Sequence, residues 1–216
     1  MPVPMPEFLI DGPKRAPVTF ALTHGAGAAM DTPFMTTFAE GLALRGHRII
    51  RFEFPYMHER RISGKKRPPD RAPVLLDTWR AVAAKINAKR LVVGGKSMGG
   101  RIASLLAAER EETGDPLSGI VCLGYPFHPP GKPDKLRVDH LRGLKTPTLI
   151  VQGERDPFGK KDEVKSYRLP KSIRFHWLTD GEHSFKPRKA SGRTEADNWT
   201  QGIEAIDGFL TGLKQP

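Results

Sequence analysis

The sequence predicts an α/β protein with a mostly parallel β-sheet and helices on both of its faces. Three observations lead to this fold class. Short apolar runs rich in β-branched and aromatic residues recur along the 216-residue chain, and each ends in Gly, Pro or Asp. Stretches with helical spacing of apolar residues separate these runs. Because strands that alternate with helices form βαβ crossovers, the strands should lie parallel in one sheet.

The apolar runs define the predicted strands. They are VTFALTHG, HRIIRFEFP, RLVVGG, GIVCLGYP, PTLIVQGERD and SIRFHWLTDG, and EFLIDGP is a candidate edge strand. Helices are predicted where apolar residues repeat every three or four positions. These residues are Phe34, Phe38 and Leu42; Leu75, Trp79, Val82 and Ile86; Ile102, Leu105 and Leu106; and, in a last helix over roughly 195–213, Trp199, Ile203, Ile206 and Leu210. No internal repeat or linker is visible, which predicts a single domain over residues 1–216.

The composition argues against several classes of protein. It is 38% hydrophobic and 27% charged, which is typical of a globular protein, and no apolar run is long enough to span a membrane. The N-terminus lacks a signal-peptide pattern and Cys122 is the single cysteine, so we expect a cytoplasmic location. The net charge is +11, and a basic segment from His58 to Arg71 is predicted as a loop. Because no aromatic residues alternate with these charges, nucleic acid is disfavoured as a partner.

A G-x-S-x-G motif joins the third apolar run to the following helix. In LVVGGKSMGGRIASLLAAER, Ser97 follows a strand directly, with Gly95 and Gly99 on either side. A strand-to-helix corner of this kind lifts a serine hydroxyl out of the backbone as a nucleophile. A helix N-cap serine is the simpler alternative. A phosphate-binding loop is disfavoured, because its first glycine would fall at Arg90.

Residues just after strands are the candidates for the other catalytic groups, since parallel sheets bind ligands beyond the carboxyl ends of their strands. Asp156 follows TLIVQG, and His183 lies beyond a late strand and before the last helix. Glu154 and Asp180 are alternative acids. The chain order Ser97, Asp156, His183 is the order of nucleophile, acid and base in α/β-hydrolases. In that arrangement the acid orients the histidine, which accepts the serine proton.

The segment HGAGAAMD offers backbone N–H groups for an oxyanion. An acyl-transfer site commonly uses the N–H after the nucleophile and a second one from an early strand-to-helix loop. Met98 N–H is the predicted first donor, and Ala26 N–H is the second, with Gly27 as its alternative. A flexible Gly/Ala loop without this role is the other interpretation.

Four residues are expected to contact the substrate: His24, Lys96, Arg60 and Arg61. The two arginines belong to the basic segment, which follows a strand and should therefore lie on the active-site side. There it would favour anionic substrates.

Six segments resemble one family. HGAGAAMDTPFM, RFEFPYMHERR, GGKSMGGRIAS, GYPFHPPGKPDKLRVDHL, VQGERDPFG and GEHSF are similar to the α/β-hydrolase-like family related to dienelactone hydrolases. That family includes a testis-expressed protein and a subunit of the non-specific lethal chromatin complex. The resemblance covers residues 23–185 and implies the α/β-hydrolase fold, with Ser97, Asp156 and His183 at the triad positions. Dienelactone hydrolases proper use cysteine as nucleophile, so their substrate is not implied.

The sequence therefore predicts a serine hydrolase that cleaves carboxylic esters or thioesters through an acyl-enzyme, with no metal or other cofactor. The expected partner is a small ester or thioester. The segment from Tyr125 to Leu144 is short and proline-rich, which predicts a minimal cap or none and an open site for short acyl groups. Amide cleavage stays open, because the same triad cleaves amides. The chromatin-associated relative implies the alternative, a binding or scaffold protein on a hydrolase fold.

Overall fold

The computed structural model describes residues 5–213, which form a layered α/β structure around one seven-stranded sheet. The strands follow the chain order β1 (Phe8–Asp11), β2 (Thr19–Thr23), β3 (Arg48–Phe52), β4 (Leu91–Lys96), β5 (Gly119–Leu123), β6 (Thr148–Gly153) and β7 (Ile173–Leu178). Their order in the sheet is β1-β3-β2-β4-β5-β6-β7. The edge strand β1 is antiparallel to β3, and the other neighbours are parallel. The predicted fold class is confirmed, whereas the ends of the predicted 1–216 domain lie outside the described residues.

In the described part of the chain, helices connect the successive parallel strands except β5 and β6. They are α1 (Pro33–Ala43), α2 (Pro55–Ser63), α3 (Ala72–Ile86), α4 (Met98–Glu112), α5 (Lys161–Val164) and α6 (Glu195–Thr211). Short 3-10 turns cover Asp139–Leu141, Lys165–Tyr167 and Lys189–Ser191. Proline stands at the first turn of α1, α2 and α3, where its missing N–H costs no helical hydrogen bond. None of the described helices is both long and apolar enough to cross a membrane.

Two apolar layers cover the sheet. Helices α1 and α6 pack on one face and helices α3 and α4 on the other. Neighbouring residues of β4 show the alternation of a strand, since Val92 joins the first layer and Val93 the second. The predicted helical stripes supply much of both layers: Phe38, Leu42, Leu75, Trp79, Val82, Ile102, Leu106, Ile203, Ile206 and Leu210 are all buried.

The basic segment differs from its prediction as a loop. Its first six residues, 58–63, belong to α2. Pro55 begins this helix, and Gly64, with a φ of 69°, ends it in the left-handed conformation common after helices. Arg60 and Arg61 lie in the last turn, where positive charge is favourable at the negative end of the helix dipole.

The segment between β5 and β6 forms loops and the 3-10 turn Asp139–Leu141. It inserts no cap domain over the carboxyl ends of the strands. The prediction of a minimal cap or none is confirmed, and the site at those strand ends is open.

Candidate active site

Ser97 occupies the tight corner between β4 and α4. Its φ of 50° and ψ of −115° are unusual for a residue with a side chain and cost of the order of 1–3 kcal/mol. The corner also needs glycine on both sides. A β-carbon at Gly95 would lie 2.5 Å from the carbonyl oxygen of Thr23, and one at Gly99 would lie 2.6 Å from that of His24. The sequence thus holds a serine in a strained turn where larger neighbours would not fit.

His183 lies between Ser97 and Asp156. Its Nε2 is 2.9 Å from Ser97 Oγ, and its Nδ1 is 2.8 Å from Asp156 Oδ2. The ring of Phe158 packs against the imidazole with the centroids 4.2 Å apart. The structure thus joins the three side chains at the ends of β4, β6 and β7 into one hydrogen-bonded chain.

Asp156 is fully buried, and its carboxylate has further donors. Gln152 Nε2 donates to Oδ2 at 2.9 Å, and the N–H of Phe158 donates to Oδ1 at 2.9 Å. Gln152 also exchanges two hydrogen bonds with the backbone of Tyr125. Sequence reasoning missed Gln152 and Phe158. The signal for the first was a polar amide in the apolar strand TLIVQG.

The two alternative acids have other partners. Glu154 accepts from Lys161 Nζ at 2.6 Å and from the N–H of Asp180, and Lys161 holds the pKa of Glu154 below its usual value. Asp180 accepts from Arg188, which lowers the Asp180 pKa to about 2. Of the three candidate acids, Asp156 is the one bonded to His183.

The predicted oxyanion donors differ in position. Ala26 and Met98 line, with Ser97, a cavity of about 320 Å³. A β-carbon on the neighbouring Gly25 would lie 3.6 Å from Cβ of Ser97, so this loop runs close to the corner. Met98 is the first residue of α4, where N–H groups have no helical acceptor. Gly27 lies outside the cavity wall, and its carbonyl accepts from Arg60 at 3.2 Å.

Comparison with known proteins identifies the family. A family model described as an alpha/beta hydrolase domain matches residues 16–211. The chain belongs to the α/β-hydrolase family.

Solved structures share this fold at low identity. A dienelactone hydrolase from Anabaena variabilis is 22% identical, with 95% of this chain and 91% of that chain covered and a TM-score of 0.70. Est1E from Butyrivibrio proteoclasticus, with ferulic acid bound, is 15% identical over 96% and 95%, with a TM-score of 0.68. An α/β serine hydrolase without lid from Xanthomonas campestris is 19% identical over 94% and 85%, with a TM-score of 0.62.

His24 does not reach the substrate side, contrary to the prediction. Its side chain is fully buried, and both ring nitrogens bond to backbone. Nδ1–H donates to Gly25 O at 2.7 Å, and Nε2 accepts from the N–H of Phe54 at 3.1 Å. Burial lowers the pKa of this imidazole, which favours the neutral form. In this α/β-hydrolase, His24 therefore fixes the loop after β2.

Arg60 and Arg61 lie outside the wall of the cavity beside Ser97 and contact other groups. Arg61 pairs with Glu53 at 2.7 Å and with Asp31 at 2.9 Å, and Arg60 donates to the backbone of Gly27. Glu53 in turn accepts from the N–H of Met30. These bonds tie α2 to the loop between β2 and α1. Arg61 is paired with carboxylates, whereas Arg60 bonds to a backbone carbonyl oxygen.

Lys96 contacts the histidine loop instead of the cavity. Its Nζ donates to the carbonyl oxygen of His183 at 2.7 Å and lies 5.7 and 5.8 Å from the ring centroids of Phe34 and Phe185. Burial lowers the pKa of Lys96 to about 8, while the charges of Asp156 and Glu182 oppose that shift. We interpret Lys96 as a positioning residue for His183.

Lys96→Met is expected to lower kcat for a short ester by roughly tenfold, because the His183 carbonyl loses a charged donor. The melting temperature should stay the same or rise, since a buried charge is removed. Kinetics and thermal unfolding test this, with Lys89→Met in the exposed turn before β4 as the control. A parallel fall in kcat and melting temperature would contradict the positioning role.

A second serine–histidine pair lies outside the corner. Ser104 Oγ is 2.8 Å from His140 Nε2 and 2.8 Å from the Arg101 carbonyl oxygen, to which it donates. Ser104 is fully buried inside α4. Within residues 5–213, the hydrogen-bond partners of His140 include no carboxylate. This pair therefore lacks the third member that His183 has in Asp156.

Proposed function

We propose that this protein is a serine hydrolase that cleaves carboxylic esters or thioesters. The observation that carries the proposal is the bonded chain Ser97–His183–Asp156 on an open cavity. We also propose the narrower placement beside dienelactone-hydrolase-related proteins and, from the single buried cysteine Cys122, a cytoplasmic location.

Each group has a defined step in this reaction. His183 Nε2 removes the proton from Ser97 Oγ as that oxygen attacks the substrate carbonyl carbon. Asp156 accepts from Nδ1–H, which fixes the tautomer and stabilises the imidazolium. The N–H groups of Met98 and Ala26 donate to the carbonyl oxygen as it gains negative charge. His183 then protonates the leaving group, and a water activated in the same way releases the acid from the acyl-enzyme.

The openness of the site supports small substrates. The cavity beside Ser97 is about 320 Å³. The segment between β5 and β6, where a cap domain could enclose a long acyl chain, forms loops and a 3-10 turn. The ferulic acid bound to Est1E is a small aromatic acid, which supports a small ester as ligand here.

Fluorophosphonate labelling tests the nucleophile, because such probes react with activated serines. We expect the wild type and Ser104→Ala to be labelled and Ser97→Ala to remain unlabelled, although all three fold. Hydrolysis of phenyl acetate should follow the labelling pattern.

Two other results would overturn the proposal. Labelling lost in Ser104→Ala but retained in Ser97→Ala would transfer the chemistry to the Ser104–His140 pair. A folded wild type that neither reacts with the probe nor hydrolyses esters would favour the alternative function, a binding or scaffold protein.

A further inference from the structure

Two arginines of different elements line the cavity beside Ser97. Arg101 lies one helical turn into α4, and its N–H donates to the carbonyl oxygen of Ser97 at 3.1 Å. Arg137 comes from the segment between β5 and β6. Neither residue was predicted to contact the substrate. The basic residues that were, Arg60 and Arg61, lie outside this cavity wall.

The two guanidinium groups lack a protein counter-charge. Within residues 5–213 neither forms an ion pair within 4.0 Å, and Nε of Arg101 is buried without an acceptor. Burial and the charge of Arg101 lower the pKa of Arg137, as expected for neighbouring cations. Two partly buried guanidinium groups that share a cavity wall without a carboxylate partner favour an anionic ligand there.

The acidic residue on the cavity wall does not neutralise this pair. Asp70 Oδ2 accepts from the N–H of Tyr56 at 2.9 Å, and Oδ1 accepts from Arg67 at 3.0 Å. Its carboxylate is thus bonded to α2 and to its own loop, and the positive charge of the arginines remains available.

A buried network fixes the backbone of both arginines. Ser104 Oγ donates to Arg101 O at 2.8 Å, and the Tyr125 hydroxyl donates to Arg137 O at 2.9 Å. His140 Nε2 lies 2.8 Å from the Ser104 hydroxyl oxygen and 3.4 Å from that of Tyr125. This explains the second serine–histidine pair as a support that sets α4 and the loop after β5 relative to each other.

We propose that Arg101 and Arg137 form an anion subsite that binds a carboxylate group of the substrate. The inference rests on the proposed esterase function and names its substrate class: esters with a free carboxylate a few bonds from the scissile carbonyl. A guanidinium presents paired N–H donors that match a carboxylate. One helical turn, about 5.4 Å, separates Arg101 from Ser97 along α4. A monoester of a short dicarboxylic acid spans such a distance.

Matched esters test the subsite. Monophenyl glutarate and phenyl pentanoate have similar shapes, but the first ends in a carboxylate where the second has a methyl group. A second pair, 4-acetoxybenzoate and its methyl ester, carries the charge on the leaving group. We expect the wild type to prefer the acidic member of at least one pair, judged by kcat/KM corrected for spontaneous hydrolysis.

Arg101→Gln and Arg137→Gln should each raise KM for the preferred acidic ester about tenfold or more. The ratio of kcat/KM for the acidic over the neutral ester should fall by a similar factor. Arg142→Gln, which removes an exposed guanidinium from the same segment, should leave that ratio unchanged. A wild type that prefers both neutral esters, or a ratio that neither substitution changes, would overturn the subsite.

Two further measurements separate this proposal from the proposed function. Fluorophosphonate labelling reports on Ser97, whereas calorimetric titration with glutarate reports on the arginines without turnover. If the wild type binds glutarate more tightly than the Gln variants do but is not labelled, the subsite is supported and the esterase function is contradicted. If the wild type is labelled but binds no glutarate and does not prefer the acidic esters, the esterase function is supported and the subsite is contradicted.

Discussion

His183→Ala is expected to lower kcat for phenyl acetate about 10⁶-fold, because a serine without its base is a poor nucleophile. Nε2 of His183 lies 2.9 Å from Ser97 Oγ, so it is placed to accept the serine proton directly. The loss should fall on kcat, since the imidazole acts in proton transfer more than in substrate binding. Steady-state kinetics measured beside Ser97→Ala, which should show a loss of similar size, check this expectation.

His58→Ala is the matched control for His183→Ala. His58 is a partly exposed histidine of α2, away from the bonded chain, and its replacement should leave kcat unchanged. A loss in His183→Ala below about 100-fold, the lower end for general acid–base catalysis, would contradict the assigned role. Circular dichroism of each variant excludes unfolding as the cause of a loss.

The fold was predictable because its signals are local. A buried parallel strand needs an apolar run, and a helix that covers it needs an apolar stripe, so both patterns are visible in the sequence. The parallel arrangement then places the carboxyl ends of β4, β6 and β7 at the same edge of the sheet. For this reason, the positions of Ser97, Asp156 and His183 just after predicted strands were enough to select them as neighbours.

The cavity wall was not predictable in the same way. The direction of a loop side chain depends on partners far along the chain, as for Arg61, which pairs with Asp31 thirty residues earlier. His24 follows a strand just as His183 does, yet its Nε2 accepts a hydrogen bond from the N–H of Phe54 and its side chain is buried. Arg101 and Arg137 show the converse case. They line one cavity only because α4 and the loop after β5 pack together, and no short sequence motif indicates that packing.

The tightness of the corner is also a tertiary property. The sequence showed that Gly95 and Gly99 flank Ser97, but it could not show what they touch. The structure supplies the reason, since β-carbons there would collide with backbone oxygens of β2 and the loop after it. The same loop carries Ala26, so the packing that requires glycine also brings the proposed oxyanion donor close to the nucleophile.

Asp156→Asn is expected to lower kcat about 10⁴-fold with little change in KM, because the asparagine amide can hold the histidine in the wrong tautomer. The structure favours this over collapse of the site. Oδ1 of Asp156 accepts from the N–H of Phe158, a bond that the asparagine carbonyl oxygen retains, and Phe158 still packs on the imidazole. Gln152 loses its one bond to Oδ2, while its Oε1 and Nε2 stay bonded to the backbone of Tyr125 and keep it in place.

Glu154→Gln decides between the two acids nearest the end of β6. Glu154 lies two residues before Asp156, but its carboxylate is bonded to Lys161 and to the N–H of Asp180. Its replacement should therefore lower the melting temperature slightly and change kcat by less than about tenfold, as expected for a partly exposed ion pair. If Glu154→Gln instead caused the large loss and Asp156→Asn did not, the histidine would depend on Glu154 in the working enzyme. The hydrogen bond between His183 Nδ1 and Asp156 would then be present in the free enzyme but not during the reaction.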